Sequence, residues 1–222
     1  MKKIFLVALL TPLLMGCPGD DLDIIENERL YAEGFVTLEN GTPVVNTDVS
    51  ISENSGILGQ DLTDASGAFS FVSLKSSDEI MTLSINKETD TTVSKLNYLA
   101  FNTAANNFSI GEAVLKPIGF LNISLTKNTP EAPTLFYTFV YEDTFCDIQL
   151  TNILPDDVTL RCYESVNFSG ELGPNGKTTF TTQIESLQET PVKFIYQIGE
   201  TGEETIVEIP LNNTTNSYEF EY

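Results

Sequence analysis

The chain has 222 residues, of which 32 are acidic and 11 basic, so its formal net charge is −21 at pH 7. A field of this sign repels phosphate backbones, which excludes nucleic acid as a partner. The chain contains no histidine. This excludes catalysis through an imidazole base, the Ser-His-Asp constellation and the common histidine-containing zinc sites. We therefore expect no cofactor, no metal site and no catalytic residue.

The first seventeen residues have the layout of an export signal. Two lysines precede an apolar run of about a dozen residues, which is too short to cross a bilayer as a helix. The run ends at Leu14-Met15-Gly16-Cys17, which resembles the lipobox of bacterial lipoproteins. The resemblance implies that Cys17 is lipidated and becomes the mature amino terminus. The alternative is an ordinary signal peptide with an incidental cysteine.

Residues 18–29 contain five acidic side chains, at positions 20, 21, 23, 26 and 28. With so little apolar mass, we predict that this segment is a solvated acidic tether. Acidic residues directly after the lipidated cysteine also resemble the surface-export signal of Bacteroidetes lipoproteins. That resemblance implies a lipid-anchored protein of the outer membrane, exposed at the cell surface. A plain acidic linker is the alternative.

From Leu30 onward, short runs with apolar residues at alternate positions are divided by glycine, asparagine, aspartate and proline. This period-2 pattern is typical of half-buried strands, and the length fits two domains of about 100 residues. We predict an all-β protein with two small β-sandwich domains in tandem, spanning residues 30–116 and 117–222.

Turn and core residues of the first half follow a known order. They are Gly34-Phe35-Val36, Gly41-Thr42-Pro43-Val44-Val45, and Thr63-Asp64-Ala65-Ser66-Gly67-Ala68-Phe69. Together they resemble the carboxypeptidase regulatory-like domain, a small transthyretin-like β-sandwich. Because these are turn and core residues, the resemblance implies a fold and no activity.

Asp64 invites a calcium interpretation, because Asp61 and Glu53 are near it in sequence. No spacing here matches an EF-hand loop. We predict instead a hairpin turn in which the Asp64 side chain accepts hydrogen bonds from backbone N–H groups.

The second half resembles an immunoglobulin-like or transthyretin-like sandwich on strand count and spacing alone. Its Gly-Lys-Thr run from Gly176 lacks the earlier glycine that a phosphate-binding loop requires, since position 171 is glutamate. Six tyrosines could be stacking platforms for a sugar or a peptide, but we predict that they pack in cores or at core rims. These tyrosines are Tyr137, Tyr141, Tyr163, Tyr196, Tyr218 and Tyr222.

Once Cys17 is lipidated, Cys146 and Cys162 remain, in a compartment where disulfides persist. Both lie in alternating runs on either side of the turn-forming sequence at 154–157. In a hairpin of symmetrical register, 150 faces 158, 148 faces 160 and 146 faces 162. We predict a disulfide between Cys146 and Cys162, on the apolar face, that stabilises the second domain.

These observations favour a non-catalytic cell-surface lipoprotein, a binding or accessory module of an outer-membrane complex. Its partners would be the membrane, through the lipid, and an outer-membrane protein, a glycan or a peptide recognised by sandwich loops. A fimbrial-type subunit that assembles by strand donation is the alternative, with Arg29 as the point of proteolytic cleavage. A hydrolase is disfavoured, since no pair of carboxylates stands out by spacing.

Overall fold

A computed structural model describes residues 24–53, 56–76, 80–87, 90–101, 107–129, 131–151, 160–173 and 178–222. Within these ranges the chain forms fifteen β-strands and no helix, which confirms the all-β prediction. The strands are β1 (Ile24–Leu38), β2 (Asp48–Glu53), β3 (Gly56–Leu62), β4 (Ala68–Ser76), β5 (Ile80–Ile85), β6 (Lys95–Phe101), β7 (Asn107–Leu115), β8 (Ile118–Thr126), β9 (Leu135–Glu142), β10 (Phe145–Thr151), β11 (Ser165–Leu172), β12 (Thr179–Leu187), β13 (Val192–Ile198), β14 (Thr205–Ile209) and β15 (Thr215–Glu221).

The first sandwich consists of a three-stranded sheet, β4-β1-β7, facing a five-stranded sheet, β10-β6-β5-β2-β3. Strand β1 is antiparallel to β4 and parallel to β7. Alternate side chains of each strand point into the space between the sheets, as period-2 sequences require. Leu30, Ala32 and Val36 from β1 meet Ile51 and Leu83 in one buried cluster.

The second sandwich consists of a four-stranded sheet, β11-β9-β13-β14, and a three-stranded sheet, β12-β8-β15. Its core is rich in aromatic rings. Phe139 and Phe194, directly opposite each other on β9 and β13, stack with ring centroids 4.8 Å apart. Phe220 from the last strand meets Phe194 edge-on at 5.2 Å. These contacts tie the carboxyl-terminal strand to the core.

Strand β10 departs from the predicted domain division. It lies between β9 and β11 in sequence, yet it pairs in parallel with β6 and completes the sheet of the first sandwich. Cys146, Ile148 and Leu150 accordingly pack against the first core. Residues 145–151 and 160–163 therefore leave the second sandwich for the first, and we call them the excursion.

The start of β1 also differs from the sequence prediction. Strand β1 begins at Ile24, so residues 24–29, expected to belong to the tether, are the extended beginning of a strand. Ile24 pairs with Ser76, and the Glu28 carboxylate lies 3.0 Å from Nζ of Lys75. Backbone pairing and this ion pair hold the segment, although residues 26–29 are exposed as expected.

A short polar junction connects the two sandwiches between the end of β7 and the start of β8. Nζ of Lys116 lies 3.2 Å from Glu39 and 3.1 Å from Glu189, and 5.4 Å from the ring centroid of Tyr163. The backbone N–H of Lys116 donates to Oγ of Ser94. Lys116 thus joins the loop after β1, the loop before β13 and the base of the excursion.

Candidate functional site

The residue expected to carry the lipid, Cys17, lies outside the described residues, as do Asp20, Asp21 and Asp23 of the acidic run. Arg29, the proposed cleavage point of the fimbrial alternative, is exposed on β1 directly before the buried Leu30. Cleavage there would leave the core residues of β1 in place.

Cys146 and Cys162 form a disulfide, as predicted. They face each other in an antiparallel bridge, and the backbone N–H of Asp147 donates to the carbonyl of Arg161 in the same register. The environment differs from the prediction. Cys146 is buried in the first core rather than the second, Cys162 is exposed, and Leu160 is exposed instead of facing an apolar surface. Position 158 lies outside the described residues.

The turn at Asp64 has the predicted structure. One carboxylate oxygen of Asp64 accepts hydrogen bonds from the hydroxyl and backbone N–H of Ser66 and from the backbone N–H of Ala68, at 2.7, 2.8 and 3.0 Å. These bonds, led by the Ser66 hydroxyl, lower the pKa of Asp64 below its ordinary value. Within the described ranges, no three acidic or cysteine side chains are grouped to hold a metal ion. Asp64 is a turn residue.

The six tyrosines weighed as stacking platforms pack against the two cores, as predicted. Tyr137 is the most buried of them, and its ring covers Gly170 on the neighbouring strand. A Cβ at Gly170 would collide with that ring. These tyrosines are therefore structural.

A hollow of about 420 Å³ lies over the outer face of β2 and β3. Asp48, Asp61 and Lys87 line it beside exposed aliphatic side chains of β3. Both carboxylates there accept backbone hydrogen bonds, Asp48 from the N–H of Lys87 and Asp61 from that of Leu62. Because both carboxylates already hold the backbone in place, the hollow is the weaker candidate for a binding site.

The outer face of the sheet β4-β1-β7 is the stronger candidate. Side chains that point away from the core here include large apolar ones: Tyr31 is 39% exposed, Phe35 52% and Val72 62%. We call this surface the aromatic face and define it by Tyr31, Glu33, Phe35, Ser70, Val72, Glu112 and Val114.

Three neighbouring strands fix the positions of these side chains. Tyr31 lies opposite Val72 on β4, and Glu33 lies opposite Ser70 on β4 and Ser109 on β7. Phe35 lies beside Glu112, which a register shift in β7 keeps on the outer face. The aromatic face thus alternates along β1 between an aromatic ring, a carboxylate and a second ring.

The sequence contains one signal for the aromatic face that period-2 reasoning does not use. Between Leu30 and Val36, β1 has apolar residues at both parities, with Leu30, Ala32 and Val36 inward and Tyr31 and Phe35 outward. A half-buried strand needs apolar residues at one parity alone. Apolar residues at the second parity indicate a surface that contacts a partner.

Within the described ranges, no helix has the length and hydropathy needed to cross a membrane.

The sequence matches no family model, and no curated protein matches it significantly. Among solved structures, the TIE protein of Bacillus anthracis is similar with a TM-score of 0.34 at 11% identity, over 88% of this chain and 34% of that one. This chain therefore spans about a third of the TIE protein.

Two further structures are similar over most of both chains. A candidate adhesin from Bacteroides ovatus has a TM-score of 0.28 at 11% identity, covering 91% of each chain. The tip fimbrial protein of Porphyromonas gingivalis, solved with a carboxyl-terminal truncation, has a TM-score of 0.26 at 7% identity, over 82% of this chain and 81% of that one. At these scores the similarity supports no inference about family or function.

Proposed function

We propose that the chain is a non-catalytic, lipid-anchored protein of the bacterial cell surface, which acts as a binding module through its first sandwich. The observation that carries this proposal is the aromatic face, where Tyr31, Phe35 and Val72 are exposed on neighbouring strands of one rigid sheet. Contiguous exposed apolar side chains on a folded domain usually belong to an interaction surface. The lipid on Cys17 would supply the membrane attachment.

The side chains of the described residues support binding rather than catalysis. A catalytic base at neutral pH would have to be a carboxylate, lysine, tyrosine or thiol, since histidine is missing. Cys146 and Cys162 are bridged, and Asp64 is occupied by its turn. A binding surface requires less, namely exposed side chains held in fixed positions.

We also propose that the first sandwich is a carboxypeptidase regulatory-like, transthyretin-like domain and that the second is immunoglobulin-like. The motif around Asp64 supports the first assignment, because four of its residues have clear structural roles. The Thr63 hydroxyl donates to the carbonyl of Val44, the Asp64 carboxylate forms the turn, Gly67 takes a positive φ, and Phe69 enters the core. The second assignment is supported by the two facing sheets β11-β9-β13-β14 and β12-β8-β15.

The membrane attachment is tested by comparing wild type with Cys17→Ala in cells. We expect wild type to partition into detergent and to be digested by external protease, and the variant to be unprocessed or soluble. A periplasmic marker that stays intact controls for cell leakage. If Cys17→Ala partitions like wild type, the lipid anchor is wrong.

The absence of catalysis is tested separately, with purified mature protein and a panel of glycan and peptide substrates. We expect no turnover. Reproducible turnover that disappears when one Asp or Glu is changed to its amide would overturn the binding-module proposal.

A further inference from the structure

We propose that the partner of the aromatic face is a cationic segment of another protein, extended along β1, with a lysine or arginine held between Glu33 and Glu112 over the ring of Phe35. This inference rests on the proposed function as a binding module, and it names the class of partner and the residues that recognise it.

Two aromatic rings bound the proposed site on β1. The hydroxyl of Tyr31 lies 2.6 Å from Oγ of Ser70, and Ser70 pairs with Glu33, two residues further along β1. This hydrogen bond directs the Tyr31 ring diagonally, across onto β4 and toward the end of the sheet where Phe35 lies. The Cα atoms of Tyr31 and Phe35 are separated by about 13 Å, from the rise per residue of a strand. The two rings therefore bound a strip several residues long.

Two carboxylates lie beside the ring of Phe35. Glu33 lies between the two rings on β1, and Glu112 lies beside Phe35 on β7. Their Cα atoms are about 8 Å apart, from two residues along the strand and one strand across. The Thr37 hydroxyl donates to the Glu112 carboxylate at 2.8 Å, which fixes one side of the pair. A cation between two carboxylates and over an aromatic ring gains both ion pairing and cation–π attraction.

The charge of the aromatic face is complementary to a cationic partner. Within the described ranges, neither Glu33 nor Glu112 forms an ion pair. Arg29, further along β1, donates to the carbonyl of Glu28. The chain as a whole has a net charge of −21, which attracts cationic partners and repels anionic ones. Two copies of this chain would meet like charges across such a contact, which disfavours self-association through the aromatic face.

The spacing of the side chains along β1 matches an extended partner. Tyr31, Glu33 and Phe35 recur at every second residue, so they repeat at about 7 Å. An extended peptide presents side chains on one face with the same repeat. An extended segment with alternating basic and apolar residues therefore matches the ring, carboxylate and ring of β1 in spacing and in chemistry.

The experiment uses the purified mature protein and three probes: a peptide of alternating arginine and valine, a peptide of alternating glutamate and valine, and a neutral oligosaccharide of β-linked glucose. Binding is measured by fluorescence anisotropy at two salt concentrations. The test variant is Glu33→Gln with Glu112→Gln, which keeps side-chain size. The matched control is Glu219→Gln with Glu221→Gln on the outer face of β15, which removes the same charge elsewhere. Circular dichroism confirms that both variants are folded.

We expect the arginine peptide to bind wild type and the β15 control with similar affinity, and the test variant about tenfold more weakly, since loss of two exposed ion pairs has that magnitude. As a separate variant, Phe35→Ser should also weaken binding of the arginine peptide, whereas Ile206→Ser on the second sandwich should not. Binding should also decline as salt rises.

Equal loss in the test variant and the β15 control would overturn the site, because it would show that net charge alone attracts the peptide. Binding of the oligosaccharide without the arginine peptide would overturn the class of partner while retaining the aromatic face as a binding surface. If none of the three probes binds, this inference is overturned. That result would not bear on the membrane anchor or on the absence of turnover, which are tested separately.

Discussion

Cys146 lies directly opposite Cys162, with their Cα atoms 3.8 Å apart, at the base of the excursion that crosses from the second sandwich to the first. The bridge closes a loop whose outgoing strand, β10, is part of the first sheet. It therefore joins a strand of one sandwich to the segment just before β11 of the other.

Replacing both bridged cysteines, Cys146→Ser with Cys162→Ser, should lower the free energy of unfolding by about 3 kcal/mol, because the loop is no longer restricted in the unfolded chain. Urea denaturation measures the loss. The unfolded, unreduced wild type should show no reactive thiol from these residues, and the reduced protein should show two. Two reactive thiols before reduction would contradict the bridge.

Two glycines with nearly the same backbone angle allow a matched comparison. Gly67 has φ of 78° and Gly41 has φ of 79°. A Cβ at Gly67 would collide with the carbonyl oxygen of Val36, whereas a Cβ at Gly41 would meet nothing within 4 Å. Gly41→Ala should cost about 1–2 kcal/mol from the left-handed backbone alone.

Gly67→Ala should cost clearly more than Gly41→Ala, because the collision also disturbs the hydrogen bond from the N–H of Val36 to the carbonyl of Gly67. Thermal or urea unfolding of both variants measures the difference. Equal losses would show that the close approach to Val36 has no energetic consequence.

The stabilisation from the ion pairs of Lys116 should be confined to a defined pH range. Hydrogen bonding to Glu39 and then to Lys116 lowers the pKa of Glu189 below 4.5. The hydrogen bond to Glu189 raises the pKa of Lys116 above 10.5. The stabilisation from Glu189 is present above pH 4.5 and is lost as the pH falls through the pKa of Glu189 in the folded protein. The stabilisation from Lys116 is present below pH 10.5 and is lost as the pH rises through the pKa of Lys116 in the folded protein.

Lys116→Met should therefore reduce stability at pH 7 by less than about 1 kcal/mol, since the partners are partly exposed and water screens them. The loss of stability caused by Lys116→Met should be smaller at low pH, where Glu189 is protonated. Lys193→Met, on the exposed outer side of β13, is the control and should show little dependence of this kind. A loss that is constant from pH 3 to pH 7 would mean that the methionine acts through packing.

The acidic run is expected to direct surface display. Replacement of Asp20, Asp21 and Asp23 by alanine should protect the protein from external protease on intact cells, because the export signal is removed. Wild type should be digested. Equal digestion of both would make the run a linker.

Much of the fold follows from side-chain alternation. The residues Leu121, Ile123 and Leu125 predict β8, and all three are buried on one side of it. The turn at Asp64 also follows from its sequence, since aspartate and glycine at those positions suit the observed bonds. Local patterns of this kind depend on neighbouring residues, which the sequence shows directly.

The partner of β10 could not be predicted in this way. Cys146, Ile148 and Leu150 alternate in the same manner whichever sheet they join, because alternation shows that one side faces a core and not which core. The register of the two cysteines was predictable since it is local to one turn. The placement of their strand on the first sandwich depends on long-range pairing with β6.

The aromatic face could not be assigned from alternation for a related reason. The pattern from Leu30 onward predicts strands with one buried side, and it gives no role to apolar residues such as Tyr31 and Phe35 on the other side. The early start of β1 could not be predicted because backbone pairing, such as that of Ile24 with Ser76, does not require an apolar pattern of side chains.

The parallel arrangement of β1 and β7 has a mechanical consequence. With a lipid on Cys17, tension on the second sandwich would pull β1 from its amino-terminal end and β7 from its carboxyl-terminal end, at Leu115. The two strands are paired from Tyr31 with Asn107 to Leu38 with Leu115, so the load would act as shear along their hydrogen bonds. In this geometry the bonds resist together, whereas pulling at right angles opens them one after another. Force spectroscopy should show a higher unfolding force between residue 24 and the carboxyl terminus than between residues 24 and 76, because the second pair of points peels β1 from β4 at the end where Ile24 and Ser76 meet. The first sandwich would then serve as a tension-bearing link between the membrane and anything attached to the second sandwich.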